Sequence, residues 1–533
     1  MPNKQIKQWI SWGLLFSALA YSLLWVVCGG GNIKDPFYWM AKYSALESSW
    51  MTCGTIAVGY LWMLLFGKTI FSLRVLGWLC TTVAVALPYV MLLDKEQRRA
   101  NLHWLGLTYW LVGYGSFQEF SPGTLSVLQL SALMCMLVSE KHSSVNGNHS
   151  MVIGLIIATL VLIRFPNILA VGVLAVWYVW RFREEGLKTN FLKQAAIGIG
   201  TAAVVYAMGI VCWYYCMNHG TTAPVAQHTI EKMVQMMGEN GYRLVADVAL
   251  WGAFGFGLWL AGRAQKAVWQ WLIAVATGGL MLYYVIYAFP ASQWYNIDQS
   301  YLIVSLVLFL AVVLIYQRGK HDLPMSELWL SLLLMSVASL GTDTGWLKLF
   351  PALLCLLPWW ASYVQWPCRQ RYVLTAMLII TTLFVVRFST NAIGRHNIFK
   401  ENTWGQTSIM HLTRISEEEN ARMLQMEKDY AVYSRQGKVY GVGDALHMFR
   451  AMTRCEQPVR NEFWSNIFDP VYTKWYSELV GKEHPIIFCF YSPTFRTKQE
   501  YKDKESKVEV MLRDSGYTVV DRSEYQYMIY VKN

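Results

Sequence analysis

The sequence predicts an α-helical polytopic membrane protein of about thirteen transmembrane helices, counted from runs of bilayer length, with a C-terminal extracytoplasmic α/β domain. Three observations lead there. Of 533 residues, 55% are hydrophobic and 15% aromatic while 15% are charged, and the mean hydropathy lies above zero; that is the balance of a chain whose solvent is largely lipid. The formal charge of +11 is dispersed in short Lys/Arg clusters between apolar runs. With no single basic stripe, it reads as a topology signal and not as a nucleic-acid surface. From about Ser389 the composition turns to mixed charge with alternating apolar positions. This divides the chain into a transmembrane module over 1–388 and a soluble unit over 389–533, large enough for its own core.

The first apolar run, Trp9 to Cys28, follows Lys4 and Lys7 as a signal peptide would. It is long enough to span a bilayer and lacks a small-x-small cleavage site, so it reads as a retained anchor with a cytoplasmic N-terminus. Trp25-Val26-Val27 is too bulky a context for Cys28 to be a lipidated cysteine. Three glycines, Gly29 to Gly31, and Pro36 then stop the helix. The segment Gly29 to Glu47 holds a carboxylate, Asp35, among aromatic rings expected to settle at head-group level. An ordinary polar loop with a lone Asp is the plainer alternative.

Met51 to Phe66 is apolar enough to cross, but a crossing there would put Lys95-Glu96-Gln97-Arg98-Arg99 outside. Laying it along the outer surface and taking Phe71 to Leu93 as the return leaves that cluster in the cytoplasm. Crossings then alternate through Leu102 to Ser116, Gly123 to Val138, Met151 to Ile163, Ile168 to Trp180 and Ala195 to Met217. After a polar segment, Asn218 to Arg243, they resume with Val245 to Ala261, Val268 to Phe289, Leu302 to Tyr316, Leu328 to Leu340, Trp346 to Val364 and Tyr372 to Val386. The inside loops are the basic ones throughout, which keeps the C-terminal unit on the outer face.

Gly252, Gly255 and Gly257 suit close helix packing, and no internal repeat is evident. The ten cysteines show no zinc spacing. Cys212 and Cys216 share a helix face, and Cys455 and Cys489 are candidates for one disulfide in an oxidising compartment. In the tail, Lys438 to Val442, Pro485 to Tyr491, Tyr517 to Val520 and Met528 to Val531 read as strands, while Glu417 to Tyr430 and Tyr501 to Leu512 have helical spacing.

Three segments carry a family resemblance. Leu65-Phe66-Gly67-Lys68-Thr69-Ile70-Phe71-Ser72-Leu73-Arg74 resembles the approach to the second crossing of GT-C glycosyltransferases, the class that includes protein O-mannosyltransferases and lipid A aminoarabinose transferases. Phe120-Ser121-Pro122-Gly123-Thr124-Leu125 resembles their second outer loop, and Arg164-Phe165-Pro166-Asn167 a basic turn in a later hairpin. The motifs cover roughly the first 190 residues; the remainder agrees in architecture. The resemblance implies an integral-membrane enzyme that moves a sugar from a polyprenyl-phosphate donor to a lipid, glycan or protein acceptor at the outer face of a plasma or bacterial inner membrane. It also implies that an acid in the first outer loop, here Asp35, is the general base. Where such families carry a second acid, this chain has Pro36 and Gly123; Glu119 is the nearest substitute, its alternative being a cap for the helix after Pro122.

That chemistry needs an activated acceptor, an anionic leaving group held in place, and water excluded. A general base typically contributes about 10² to 10⁴ in rate, and a lipid phosphate leaves well once cations steady its charge. Arg164 at an outer turn, with Arg74 and Lys348 at the starts of inward crossings, are the candidate phosphate ligands; snorkelling to the interface is the alternative for each. Asp343, in Gly341-Thr342-Asp343-Thr344-Gly345, fits a tight turn. Asp444, His447 and Trp464 in the tail either meet the acceptor or belong to a unit that only braces the membrane part. No metal ligand set is present, and participation of a divalent metal is left open. The rival classes are a transporter or flippase of lipid-linked sugars, which would more often show repeats and mid-span charges, and a polysaccharide polymerase or ligase.

Overall fold

The computed structural model describes residues 2–28, 34–48, 50–112, 120–140, 147–185, 189–219, 226–288, 297–319, 322–340, 349–366, 373–379, 403–443, 446–454, 482–490, 509–523 and 527–532. Its first part is a bundle of α1 (Pro2–Cys28), α2 (Lys34–Ala45), α3 (Cys53–Phe66), α4 (Ile70–Leu92), α5 (Lys95–Val112), α6 (Pro122–Glu140), α7 (Gly147–Ile163), α8 (Leu169–Glu185), α9 (Thr189–Cys216), α10 (Ala226–Arg263), α11 (Ala267–Ala288), α12 (Ile297–Tyr316), α13 (Met325–Ser336), α14 (Leu349–Leu354) and α15 (Leu357–Trp360). Among the described residues five stretches are long and apolar enough to cross a membrane: Gln8–Cys28, Ile70–Leu92, Pro122–Ser139, Ala195–Cys216 and Leu244–Arg263. Shorter apolar helices pack between them. The chain is an α-helical polytopic membrane protein with a small α/β unit at its C-terminal end.

The bundle core is continuous from Leu15 in α1 to Met377, with Trp104, Trp251, Trp359 and Trp360 fully buried in it. Helices α7 and α9 meet at a point where only glycine fits. A Cβ on Gly154 would stand 2.3 Å from the Gly198 carbonyl oxygen. The opposite face of α9, with Ile199, Val204, Met208 and Val211, is exposed, as a lipid-facing helix requires.

The C-terminal unit holds a four-stranded sheet in the order β5 (Val439–Gly443), β6 (Ile486–Phe490), β8 (Tyr527–Lys532), β7 (Tyr517–Ser523). β5 and β6 are parallel and the other pairs antiparallel. β6, Ile-Ile-Phe-Cys-Phe, is buried at every position, the unbroken apolar run of a strand covered on both faces. Helix α16 (Glu417–Tyr433) starts at Ser416, whose Oγ accepts from the Glu419 N–H at 3.2 Å. Glu417, Glu418 and Glu419 complement the positive end of its dipole. Helix α17 (Leu446–Thr453) leaves β5 on the crossover toward β6. A short pair, β3 (Thr403–Trp404) with β4 (Arg414–Ile415), precedes α16. The helical pattern expected over Tyr501 to Leu512 is described only from 509, where helix continues to 514.

Two expectations are corrected, and two further segments gain detail. The segment after α1 is not a loop with rings among head groups: it is the helix α2, and Phe37, Tyr38 and Tyr43 are buried in protein. The preceding helix does end at Cys28, ahead of the glycines; Phe37, Met40 and Ala41 then form an i, i+3, i+4 stripe, and Pro36 lies in the first turn of α2, where its missing N–H has no helical partner to lose. The polar stretch before Val245 is largely helix, since α10 runs 38 residues without a proline. The apolar run Trp346 to Val364 is not one helix. Its described part breaks into α14 and α15, each with a proline, Pro351 and Pro358, near its start, and Ala352 to Ala361 are buried in the core. Finally, α3 is a helix of 14 residues, about 21 Å long and short of the roughly 30 Å of hydrocarbon. Its Cys53, Thr55, Ile56, Gly59 and Met63 face protein while Leu61, Leu64, Leu65 and Phe66 are exposed, a half-buried helix as expected for one lying against the bundle.

Candidate functional site

Helix α2 is wedged between the bundle and the C-terminal unit, and one apolar cluster joins the three. Phe37, Met40, Ala41 and Tyr43 of α2 pack in it with Met63, Ile70, Leu73, Phe120, Leu125 and Ile163 from the bundle, and with Ile409, Met448, Phe449 and Phe488 from the C-terminal unit. Glycine makes the close approach possible at Gly59, where a Cβ would meet the Tyr43 ring at 2.6 Å.

The three motif segments converge on this wedge. In the first, Gly67 ends α3 at φ +91°, a conformation glycine adopts without strain, and Thr69 caps α4 by accepting the Ser72 N–H at 3.0 Å. Trp62 Nε1 donates to the Ser72 carbonyl at 2.9 Å. Arg74, one turn into α4, is 3% exposed. The second segment is tied to the first and to α2: the Phe120 N–H donates to the Leu73 carbonyl at 3.3 Å, and the Tyr43 hydroxyl donates to the Phe120 carbonyl at 3.1 Å. Burial pushes the Tyr43 phenol well above its ordinary pKa, so it remains a donor. Ser121 and Thr124 cap α6 reciprocally, the Ser121 N–H donating to Thr124 Oγ1 at 3.0 Å and the Thr124 N–H to Ser121 Oγ at 3.4 Å.

The third segment is a 3₁₀ turn, Phe165–Ile168, entered through Arg164. It is held to the start of α3 by the Phe165 N–H on the Met51 carbonyl at 3.0 Å and by Thr55 Oγ1 on the Ile163 carbonyl at 3.0 Å. Arg164 is buried; its Nη1 donates to the Ala338 carbonyl at 2.9 Å and its Nη2 to the Leu340 carbonyl. Asn167 is wholly buried and donates to Ser126 Oγ at 2.8 Å and the Leu160 carbonyl at 2.9 Å.

On its other side α2 meets the C-terminal unit through polar contacts that no sequence pattern announced. Arg450 of α17 donates from Nη2 to both carboxylate oxygens of Glu47, at 3.0 and 3.1 Å, with side chains only 6% and 8% exposed. Tyr38 and His447 rings meet edge to face at 4.8 Å. Lys42 lies over the Tyr38 ring at 4.4 Å and near Trp39 at 5.8 Å. Burial pulls its pKa down to about 8, Glu47 opposing that pull and Arg450 adding to it. Next to this, β1 (Glu47–Ser48) pairs in parallel with β2 (Asn218–His219), tying the end of α2 to the chain after α9.

Asp35 falls in the first turn of α2, two turns before Lys42, its side chain lying outside the described residues. Glu119, Lys348, Asp343, Asp444, Trp464 and Cys455 also lie outside them; Cys489 is buried in β6. The structure thus brings the first turn of α2, Arg74 and Arg164 to one end of the bundle, beside the C-terminal unit. Among the described residues no three His, Cys, Asp or Glu side chains gather as a metal site would need. A cavity of about 240 Å³, lined by Leu92, Ser139, Glu327 and Tyr363 among others, lies at the other ends of α4 and α6.

No protein-family model matches the chain, and no curated protein does. Solved structures similar to it exist. One is ArnT from Cupriavidus metallidurans, apo, at 11% identity and a TM-score of 0.47 over 98% of each chain. The same enzyme bound to undecaprenyl phosphate gives 0.48 over 98% of this chain and 97% of that one. The archaeal oligosaccharyltransferase AglB from Archaeoglobus fulgidus, in complex with an inhibitory peptide and a dolichol-phosphate, gives 12% identity and 0.48 over 99% of this chain and 74% of its own.

Proposed function

We propose that the protein is a membrane glycosyltransferase that moves a sugar from a polyprenyl-phosphate donor to an extracytoplasmic acceptor, with inversion and with Asp35 as general base. The reading is supported above all by the arrangement just described: two segments that resemble the GT-C class, Leu65 to Arg74 and Phe120 to Leu125, pack with the helix whose first turn carries Asp35, and the third, Arg164 to Asn167, is tied to the start of α3 beside it. In this reading Asp35 takes the proton of the acceptor hydroxyl or amine as it attacks the anomeric carbon, and the lipid phosphate leaves from the opposite face. Glu119 is the second acid. Arg164, Arg74 and Lys348 are the cations for the phosphate, Arg164 with a guanidinium whose orientation is set by the Ala338 and Leu340 carbonyls. The bundle sits in a plasma or bacterial inner membrane with its N-terminus cytoplasmic and its C-terminal unit outside, so that donor and acceptor meet at the outer face.

The test is Asp35→Asn in the full-length protein. Glycolipids and glycoproteins of cells carrying the variant, compared by mass spectrometry with those carrying the wild type, should lose the transferred sugar, a fall of about 10² or more in rate, with membrane insertion and the thermal unfolding profile unchanged. An Asn variant within about fivefold of the wild type, set against that expected loss, would refute the assignment.

A further inference from the structure

Among the described residues the polar contacts at the junction of α2 and α17 hold two cations, Lys42 and Arg450, against one carboxylate, Glu47. Among the described residues Lys42 Nζ makes no hydrogen bond, and its side chain is only 7% exposed. Glu47, the carboxylate whose charge acts on Lys42, accepts through both oxygens from Arg450 and, among the described residues, makes no hydrogen bond to Lys42. Among the described residues the ammonium otherwise meets the face of Tyr38 and, farther off, Trp39, with the charges of Glu47 and Arg450 acting on it in opposite senses. Aromatic faces offset part of the cost of burying a charge, but a buried ammonium ordinarily has an anionic partner. Its position selects which anion. Lys42 lies over Tyr38, whose ring meets His447, and close enough to Arg450 to feel its charge, and both His447 and Arg450 belong to the C-terminal unit. The cations proposed for the donor phosphate, Arg74 and Arg164, belong instead to the bundle.

We propose that Lys42 receives an anionic group, a phosphate or carboxylate, carried by the acceptor, so that α2 and the C-terminal unit together select acidic acceptors. This rests on the glycosyltransferase reading above and adds a substrate class to it. The lowered Lys42 pKa fits the same geometry: an oxyanion at the ammonium restores the charge that burial disfavours. The C-terminal unit then contributes Arg450, which holds Glu47 away from Lys42 and leaves the ammonium available.

The experiment is equilibrium binding to full-length protein in phosphatidylcholine nanodiscs, with inorganic phosphate and glucuronate as probes and glucose as the neutral control. Wild type and Lys42→Arg should bind both anions saturably and within threefold of each other. Lys42→Met and Lys42→Gln, each checked by thermal unfolding, should bind at least tenfold more weakly, and glucose should not compete. No saturable binding to the wild type, or binding unchanged in both neutral variants, overturns the proposal. Undecaprenyl phosphate is the deciding competitor: displacement of bound phosphate by it would give the anion site to the donor and overturn the acceptor assignment. Because the readout is binding, Asp35→Asn should leave it intact. Anion binding in a protein with no transfer activity would sink the enzyme reading alone, and transfer without anion binding would sink this one alone.

Discussion

Replacing Arg450 with Met tests how the C-terminal unit is held. The substitution keeps much of the side-chain volume but leaves the Glu47 carboxylate at 8% exposure without the guanidinium that meets both its oxygens. Removing one partner of a buried pair costs about 3–5 kcal/mol. Lys42 is close enough to interact with Glu47 and recovers part of this, so we expect the lower end, about 3 kcal/mol. The pair joins α2 to α17, and the loss therefore falls on docking of the C-terminal unit. When opening is fast relative to cleavage, proteolysis tracks the open population, and about 3 kcal/mol corresponds to about 10²-fold faster cleavage within that unit. The assay is limited proteolysis of the full-length protein in detergent across a protease titration. In the double variant Glu47→Gln/Arg450→Met no charged carboxylate is stranded and Lys42 can shed its proton, so most of the loss should be recovered, to within about tenfold of wild type. Cleavage of Arg450→Met within about threefold of wild type, or a double variant cleaved as fast as the single one, would refute the reasoning, since both outcomes mean that the pair carries no coupling.

Two further outcomes follow from burial at other points. Lys42 has a pKa near 8 in the folded protein against an ordinary value of 10.5, so between about pH 8 and 10.5 the unfolded chain binds the extra proton and folding gains stability as pH rises. Below pH 8 the burial penalty is present in full. Lys42→Met should therefore raise the unfolding temperature at pH 7, and the advantage should shrink steadily to pH 10; an advantage independent of pH would show that Lys42 does not titrate in this window. Gly154→Ala must push α7 from α9, because the contact at 2.3 Å is with backbone that cannot rotate away. A cost of about 1–3 kcal/mol should appear as a lowered thermal midpoint in detergent, and an unchanged midpoint would mean the two helices are not packed as described.

Much of this fold was legible because it follows from period and hydropathy. The four strands of the sheet sit within a few residues of the apolar runs that announce them, and α4, α6 and α9 coincide closely with the spans read from hydropathy. Elements whose signals conflict were not legible. In the sequence, three glycines ahead of α2 and Pro36 within it outweigh a short apolar stripe that in the fold packs on the C-terminal unit. Apolarity over Ala352 to Trp360 reads as lipid exposure when it is core burial, since hydropathy cannot distinguish lipid from protein as the apolar neighbour. At the site, Asp35, Arg74 and Arg164 were visible through the resemblance. Lys42, Glu47 and Arg450 were not, because the ion pair joins residues 403 positions apart and neither lies in a motif.

The ion pair also bears on whether the C-terminal unit is more than a brace. Holding two bodies together needs only apolar burial, and Phe449, Met448 and Ile409 against Phe37 and Met40 supply it. A buried ion pair is a weak means of holding, because desolvation of both charges offsets most of their attraction and apolar side chains of similar volume often serve as well or better. What it adds is direction. One guanidinium nitrogen on two carboxylate oxygens fixes the rotation of the chain at Glu47, and β1 paired with β2 fixes its height. Tyr43 bonded to the Phe120 carbonyl fixes the neighbouring turn. A helix of twelve residues transmits those constraints to its first turn, where a proposed general base must be held within a few tenths of an ångström of its proton. On the proposed reading the C-terminal unit thus sets the orientation of α2, and Lys42 is the part of that arrangement proposed to meet the acceptor.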